Sequence, residues 1–215
     1  MLSRITENIY AFYPKNFGSN VFIILGSKIT LIDSSLSLNA FDLINALKQL
    51  NVSQEEVQLI LHSHGHADHF ANDLLFPNAL IRMHEFDAAF VNKKDFEFTC
   101  SKLLDNIFFP SINSFFKENE KINLGKLKLK VLFTAGHTKG SVCFFEEKQK
   151  ILFSGDTLFE KSIGRTDLIS GNFLDLKNSI LKLEKLDFSL LLAGHGKAFN
   201  GNQKENIEFI KKTYL

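Results

Sequence analysis

Few cysteines, no long hydrophobic run and no excess of either charge narrow this sequence before any motif is considered. Two of its 215 residues are cysteine. Cys100 lies in a Phe-rich segment and Cys143 in an apolar stretch, without the paired spacing of a thiolate metal site or a disulfide framework, so both are expected to be buried thiols. The longest apolar run near the N-terminus is Val21 to Leu25, far short of the roughly 18 to 20 residues that span a bilayer. No basic head or cleavage site precedes it, so a cytoplasmic protein without membrane contact is expected. Twenty-five basic side chains face 24 acidic ones for a formal net charge of +1. No Lys/Arg cluster is dense enough to form a nucleic-acid stripe, and no nucleic-acid partner is implied.

What remains is ordinary globular material, 45% apolar and 23% charged, long enough to bury a sizeable core as one domain spanning 1–215. Short apolar strands are predicted at 5–13, 20–25 and 28–32, with Gly18 and Gly26 at the turns. Apolar residues at 40, 43, 44, 47 and 50 have helical spacing. A strand at 57–61 runs into a histidine cluster, and a short helix to 76, a strand at 79–83 and a helix from 85 follow. Residues 92–121 are rich in Phe and Lys and lack clean alternation; a helical insertion is expected there, its Phe side chains either covering the site or packed into the core. Strands return at 126–133, 141–146 and 150–153, then a helix at 173–186, a strand at 189–192 and a helix from 202. Two runs of strands, each closed by helices, predict an α+β fold: a four-layer αββα sandwich.

Of seven histidines, His62, His64, His66 and His69 fall within eight residues, where random scatter would place about 0.3. In His64-Gly65-His66-Ala67-Asp68-His69 the ligand-type side chains alternate, so extended backbone points the first two to one side, and two consecutive ones follow as a helix begins. Imidazole and carboxylate suit zinc, iron or manganese. Three further places repeat one design, an apolar run and then Gly followed by a metal-binding side chain: Gly136-His137, Gly155-Asp156 and Gly194-His195. Strands ending this way at one edge of a sandwich would converge their ligands, the glycines allowing tight turns. Asp33, at the end of a strand, is a candidate acceptor for a ligand imidazole's second N–H. His62 and His84 fit no ligand position and are expected at the surface or behind the ligands.

These motifs, in this order, resemble the metallo-beta-lactamase superfamily across nearly the whole chain. The resemblance implies that His64, His66 and His137 hold one metal, Asp68, His69 and His195 a second, and that Asp156 bridges them. It implies two divalent ions, zinc first with iron or manganese as alternatives, and a bridging hydroxide oriented by Asp68 and Asp156. The run from Thr157 to Asp167, with Gly164-Arg165-Thr166-Asp167, is similar to the glyoxalase II group, the hydroxyacylglutathione hydrolases. That similarity implies a small-molecule thioester substrate, with Arg165 binding its anionic tail or, alternatively, paired with Asp167 at the surface. The chain departs from that group after His195: Lys197 stands where the group has a tyrosine, and about twenty residues follow His195 where the group has a helical domain. A mononuclear iron persulfide dioxygenase shares the signature and is the rival activity; a non-catalytic metal-binding relative is the third reading. Monomer and homodimer both stay open.

Overall fold

The computed structural model describes residues 1–102, 104 and 107–215. One sheet holds β1 (Leu2–Arg4), β2 (Ile9–Phe12), β3 (Val21–Leu25), β4 (Ile29–Ile32), β5 (Val57–Leu61), β6 (Leu80–Met83) and β7 (Ser114–Phe115) in that spatial order. Its first four strands form an antiparallel meander, and β4 through β7 run parallel. The second sheet contains β8 (Lys121–Asn123), β9 (Lys128–Phe133), β10 (Val142–Glu146) and β11 (Ile151–Gly155); the small hairpin β12 (Leu158–Phe159) and β13 (Ser162–Ile163) follows β11, and β14 (Leu190–Ala193) returns to pair with β11 in parallel. The order is β14-β11-β10-β9-β8.

Period-two alternation explains how the sheets stack. In β3, Phe22 and Ile24 turn inward and join Leu129, Val131, Phe144 and Phe153 of the other sheet in the central core. Val21 and Ile23 turn outward and meet Leu43, Ala46 and Leu47 of α1 (Ala40–Gln49). On the far side, Leu132, Cys143 and Leu152 pack on Ile180 and Leu183 of α4 (Phe173–Leu183) and on Ile207 and Ile210 of α5 (Gln203–Tyr214). Helix, sheet, sheet and helix make the four-layer αββα sandwich. Strands covered on both faces need apolar residues at every position, which is why β3 reads Val-Phe-Ile-Ile-Leu.

Three expectations need correction. The helical insertion at 92–121 is not what the described residues form: after α3 (Glu85–Asn92) come turns through residue 102, irregular chain over 107–113, and then β7 and the start of β8. The apolar residues of this segment are claimed one at a time by different neighbours. Phe98 stacks on Phe90 at 4.3 Å, Ile112 joins the cluster around Phe70 and Met83, and Phe116 enters the central core. No shared helical face is left to bury. Residues 103, 105 and 106 lie outside the described set. Cys100 is exposed rather than buried, whereas Cys143 is buried. Phe98, Thr99 and Ser101 take the inward places of that turn, and Cys100, at φ +55°, points away. The strand expected at 5–13 is interrupted as well, because residues 5–8 turn the chain from β1 into β2, Ile5 N–H donating to Ile9 O.

Candidate metal centre

β9, β11 and β14 run in the same direction, and the chain leaving each carries one of the predicted residues: His137, Asp156 and His195. Opposite them, β5 ends in the 62–69 segment, whose last part coils into α2 (Ala67–Phe70). All seven sequence-predicted ligands meet there. His64, His66 and His137 form one close group, Asp68, His69 and His195 another, and His64, His69 and Asp156 a third between them, each compact enough to hold a metal ion. The glycine before His195 is required by close approach: a Cβ on Gly194 would lie 2.2 Å from Asp156 Oδ1 and 2.8 Å from His69 Cε1.

Several of the donor atoms lack full protein partners among the described residues. His66 Nδ1 lies 3.1 Å from His64 Nε2 and 2.9 Å from His137 Nε2. One lone pair cannot serve both neighbours as a full hydrogen-bond acceptor, and three imidazole nitrogens crowding one point is the arrangement a cation relieves. His69 Nε2 and Asp156 Oδ1 are buried, 3.6 Å apart, and unpartnered among the described residues, although buried polar groups are normally paired. His195 Nε2 lies 3.2 Å from Asp68 Oδ2 and 3.4 Å from Asp156 Oδ2. Burial and the neighbouring histidines push His64 well below the ordinary imidazole range and His66 down to about 3. Both are therefore neutral, the form that binds metal. Burial opposes the charge on Asp156, but His69 and His195 hold its carboxyl well below the usual range. Neutral imidazoles on one side and two carboxylates with imidazoles on the other fit two divalent cations.

Behind the cluster, hydrogen bonds set the orientation of three rings, those of His64, His69 and His137; Ser63 Oγ lies 3.1 Å from His64 Nδ1. His69 Nδ1 donates to Asp33 Oδ2 at 2.8 Å, leaving Nε2 to face the centre. Asp33 also accepts from Ser63 N–H and Ser63 Oγ, both at 2.8 Å; burial raises its carboxyl, but His69 and His62 outweigh that and bring it down to about 2. His137 Nδ1 donates to the backbone carbonyl of Arg165 at 2.8 Å. The Arg165 side chain is turned to Asp167, Nε and NH2 donating at 3.0 and 2.7 Å. His62 is fully buried and donates from Nε2 to Asp73 at 2.8 Å. His84 caps α3, its Nδ1 accepting from Phe86 N–H.

Asp87 is the residue that sequence reasoning missed. Fully buried on α3, it accepts from Gly65 N–H at 2.8 Å, Gly140 N–H at 2.9 Å and Thr138 Oγ1 at 2.7 Å. It thereby ties the His64–His66 loop to the loop following His137. Burial raises its carboxyl to about 6, against those three donors. The 92–121 segment is fastened to the same place, since Ala67 N–H donates to Thr99 O at 2.8 Å and Phe98 lies 6.3 Å from the His66 ring.

A four-layer sandwich with histidine and aspartate ligands gathered at one edge defines a class of metal-binding proteins. The chain belongs to the metallo-beta-lactamase superfamily, whose pattern matches residues 14–195. It is 29% identical over 187 residues to a probable metallo-hydrolase of Methanocaldococcus jannaschii, covering 84% of this chain and 88% of that protein. It is 32% identical over 132 residues to a hydroxyacylglutathione hydrolase of Francisella tularensis subsp. novicida, covering 61% of this chain and 46% of that enzyme. Other curated relatives are matched over 66% and 38% of their own lengths. A metallo-beta-lactamase family protein of Thermus thermophilus superposes with a TM-score of 0.83 at 22% identity, covering 97% of this chain and 80% of that one. Among the described residues no helix is long and apolar enough to cross a membrane.

Proposed function

We propose that the protein is a hydrolase of small-molecule thioesters of the hydroxyacylglutathione type, acting through two divalent cations, zinc in the first instance. His64, His66 and His137 hold one ion, Asp68, His69 and His195 the other, with Asp156 between them. The observation that carries the metal assignment is the convergence of seven imidazole and carboxylate side chains from four chain segments, with His69 Nε2 and Asp156 Oδ1 buried and unpartnered among the described residues. The substrate class draws on the likeness to the hydroxyacylglutathione hydrolase.

Bound there, the cations supply a Lewis acid for the thioester carbonyl and lower the pKa of water toward neutrality. The chain's own residues then orient and exclude. Asp68 and Asp156 offer carboxylate oxygens at the centre of the cluster, where they accept the protons of a water and aim its lone pair at the carbonyl carbon. Asp33, Ser63 and the Arg165 carbonyl keep three imidazoles from rotating. No serine or cysteine nucleophile is needed: water adds to the acyl carbon, the C–S bond breaks, and the products are a carboxylate and a thiol.

The test is a panel of thioesters alongside glutathione persulfide, assayed with metal-loaded protein. Thioester cleavage abolished by Asp68→Asn at unchanged fold supports the proposal. Oxygen consumption with glutathione persulfide, without thioester cleavage, would move the protein to the dioxygenase reading, and inactivity on both would move it to a binding role.

A further inference from the structure

The helix that presents Asp68 and His69 is a single turn, α2 (Ala67–Phe70), and no side chain caps its start. One turn fixes several dihedral angles for very few hydrogen bonds and does not hold itself together in water. The aim of these two side chains is therefore set by what the flanking chain is tied to. At the N-terminal end Ala67 N–H donates to Thr99 O at 2.8 Å. At the C-terminal end the tie is a buried group of polar side chains outside the ligand set, Ser34, His62, Asn72 and Asp73.

Asp73 is 1% exposed; one of its carboxylate oxygens accepts from His62 Nε2 at 2.8 Å and the other from Ser34 Oγ at 2.7 Å. Ser34 N–H in turn donates to His69 O at 2.7 Å, and Asn72 Nδ2 donates to the Ser34 and Leu36 carbonyls at 2.8 and 2.7 Å. On its other side His62 turns Nδ1 toward Asp33 Oδ1, 3.5 Å away, and Asp33 Oδ2 is the acceptor of the His69 ring N–H. Asp73, His62, Asp33 and His69 thus stand in one buried row, leading from the chain behind the helix to a ring that faces the centre. Apolar side chains of the same volume would fill this space without the cost of burying two carboxylates. Stability of the fold alone does not account for the row.

We propose that Asp73 and His62 are positioning residues for the ion of Asp68, His69 and His195: they lock the one-turn helix against the ends of β4 and β5, so that Asp68 and His69 are aimed before metal arrives. The inference rests on the two-metal reading above and is independent of the substrate class. Among the described residues neither side chain bonds to the rings of His64, His66 or His137. The loops carrying those rings are tied instead to Asp87 on α3. Each ion thus has its own support, and loss of one support leaves the other ion in place.

The test is chelator competition with the zinc-loaded full chain, well below its melting temperature, each binding step being assigned by the one that His69→Ala removes. In Asp73→Ala the affinity of that step falls about tenfold, the lower end of what outer partners of a ligand control, because Asp73 acts through other residues on the ring. The other step is unchanged, and the His69 ring N–H, followed as a low-field proton resonance, exchanges faster with solvent. Asp73→Asn restores both readouts: its Oδ1 accepts from His62, and its Nδ2 donates to Ser34 Oγ, whose own proton turns to His69 O, 3.2 Å away. If Asp73→Ala does not fold, Ser34→Ala carries the test, with about a threefold loss in the same step. Combined with Asp87→Ala, the losses stay separate, one in each step. A lower melting temperature with both affinities unchanged, or equal losses in both steps, would overturn the proposal, and so would a loss in Asp73→Asn as large as in Asp73→Ala. A wild type that binds one ion overturns the two-metal reading and the proposal with it, whereas two ions bound with indifference to Asp73 overturn the proposal alone.

Discussion

Asp87→Ala tests whether the proposed metal ligands are held in place by a residue outside that set. Removing the carboxylate takes the acceptor from two buried amides, Gly65 N–H and Gly140 N–H, while Thr138 Oγ1 keeps Ser141 Oγ as a partner at 2.8 Å. An orphaned buried donor costs about 1 to 3 kcal/mol. Two of them cost about 2 to 6 kcal/mol, partly offset by releasing a carboxylate that burial disfavours. A net loss of about 2 to 4 kcal/mol is expected, or about 4 to 16 °C in melting temperature for a chain of this size. The larger consequence is local. Gly65 separates His64 from His66, and Gly140 lies three residues beyond His137, so binding at that site must now order two untied loops. Competition with a chelator should show affinity there lowered by about 30-fold or more, the equivalent of 2 kcal/mol, with the Asp68-His69-His195 site little affected. Asp87→Asn should fall between, because its amide accepts from one backbone N–H but presents a donor to the other. Unchanged affinity at the His64-His66-His137 site in Asp87→Ala would refute the reasoning.

Two further outcomes follow from the same geometry. Burial opposes the charge on His62, but Asp73 and Asp33 outweigh it and raise the imidazole from 6.5 to about 9; its stabilisation is complete below pH 6.5 and disappears as pH rises through about 9. Melting temperatures of metal-free wild type and His62→Gln between pH 6 and 10 should therefore converge at the alkaline end, and a gap that widens with pH would contradict the assignment. Gly194→Ala places a methyl against Asp156 Oδ1 and His69 Cε1; it should lose the ion held by Asp68, His69 and His195 with far-UV circular dichroism unchanged, and retention of both ions would show that the backbone can move aside.

The residues of the candidate site were legible in the sequence because each carries a local signal: four are crowded into residues 64–69, and His137, Asp156 and His195 each follow a glycine at the end of an apolar run. The sandwich was legible from alternation and from the placing of helices after strands. What holds the ligands was mostly not legible, because it is made by residues distant in sequence. Asp87 meets Gly140 across 53 positions, and His62 meets Asp73 from the opposite side of α2. In 92–121 no period announces that Phe98, Ile112 and Phe116 go to three different clusters, so a helix was the wrong inference. Arg165 shows the limit of motif reading from the other direction: its backbone carbonyl orients His137, while its guanidinium is occupied by Asp167.

The central claim is that seven residues hold two metal ions, and elemental analysis of protein purified without chelator tests it most directly. The account predicts about two equivalents per chain, falling to about one in His137→Ala and to about one in His69→Ala, with a different ion lost in each. A firm value of one in the wild type, with Asp68 and His195 dispensable for binding it, would contradict the account.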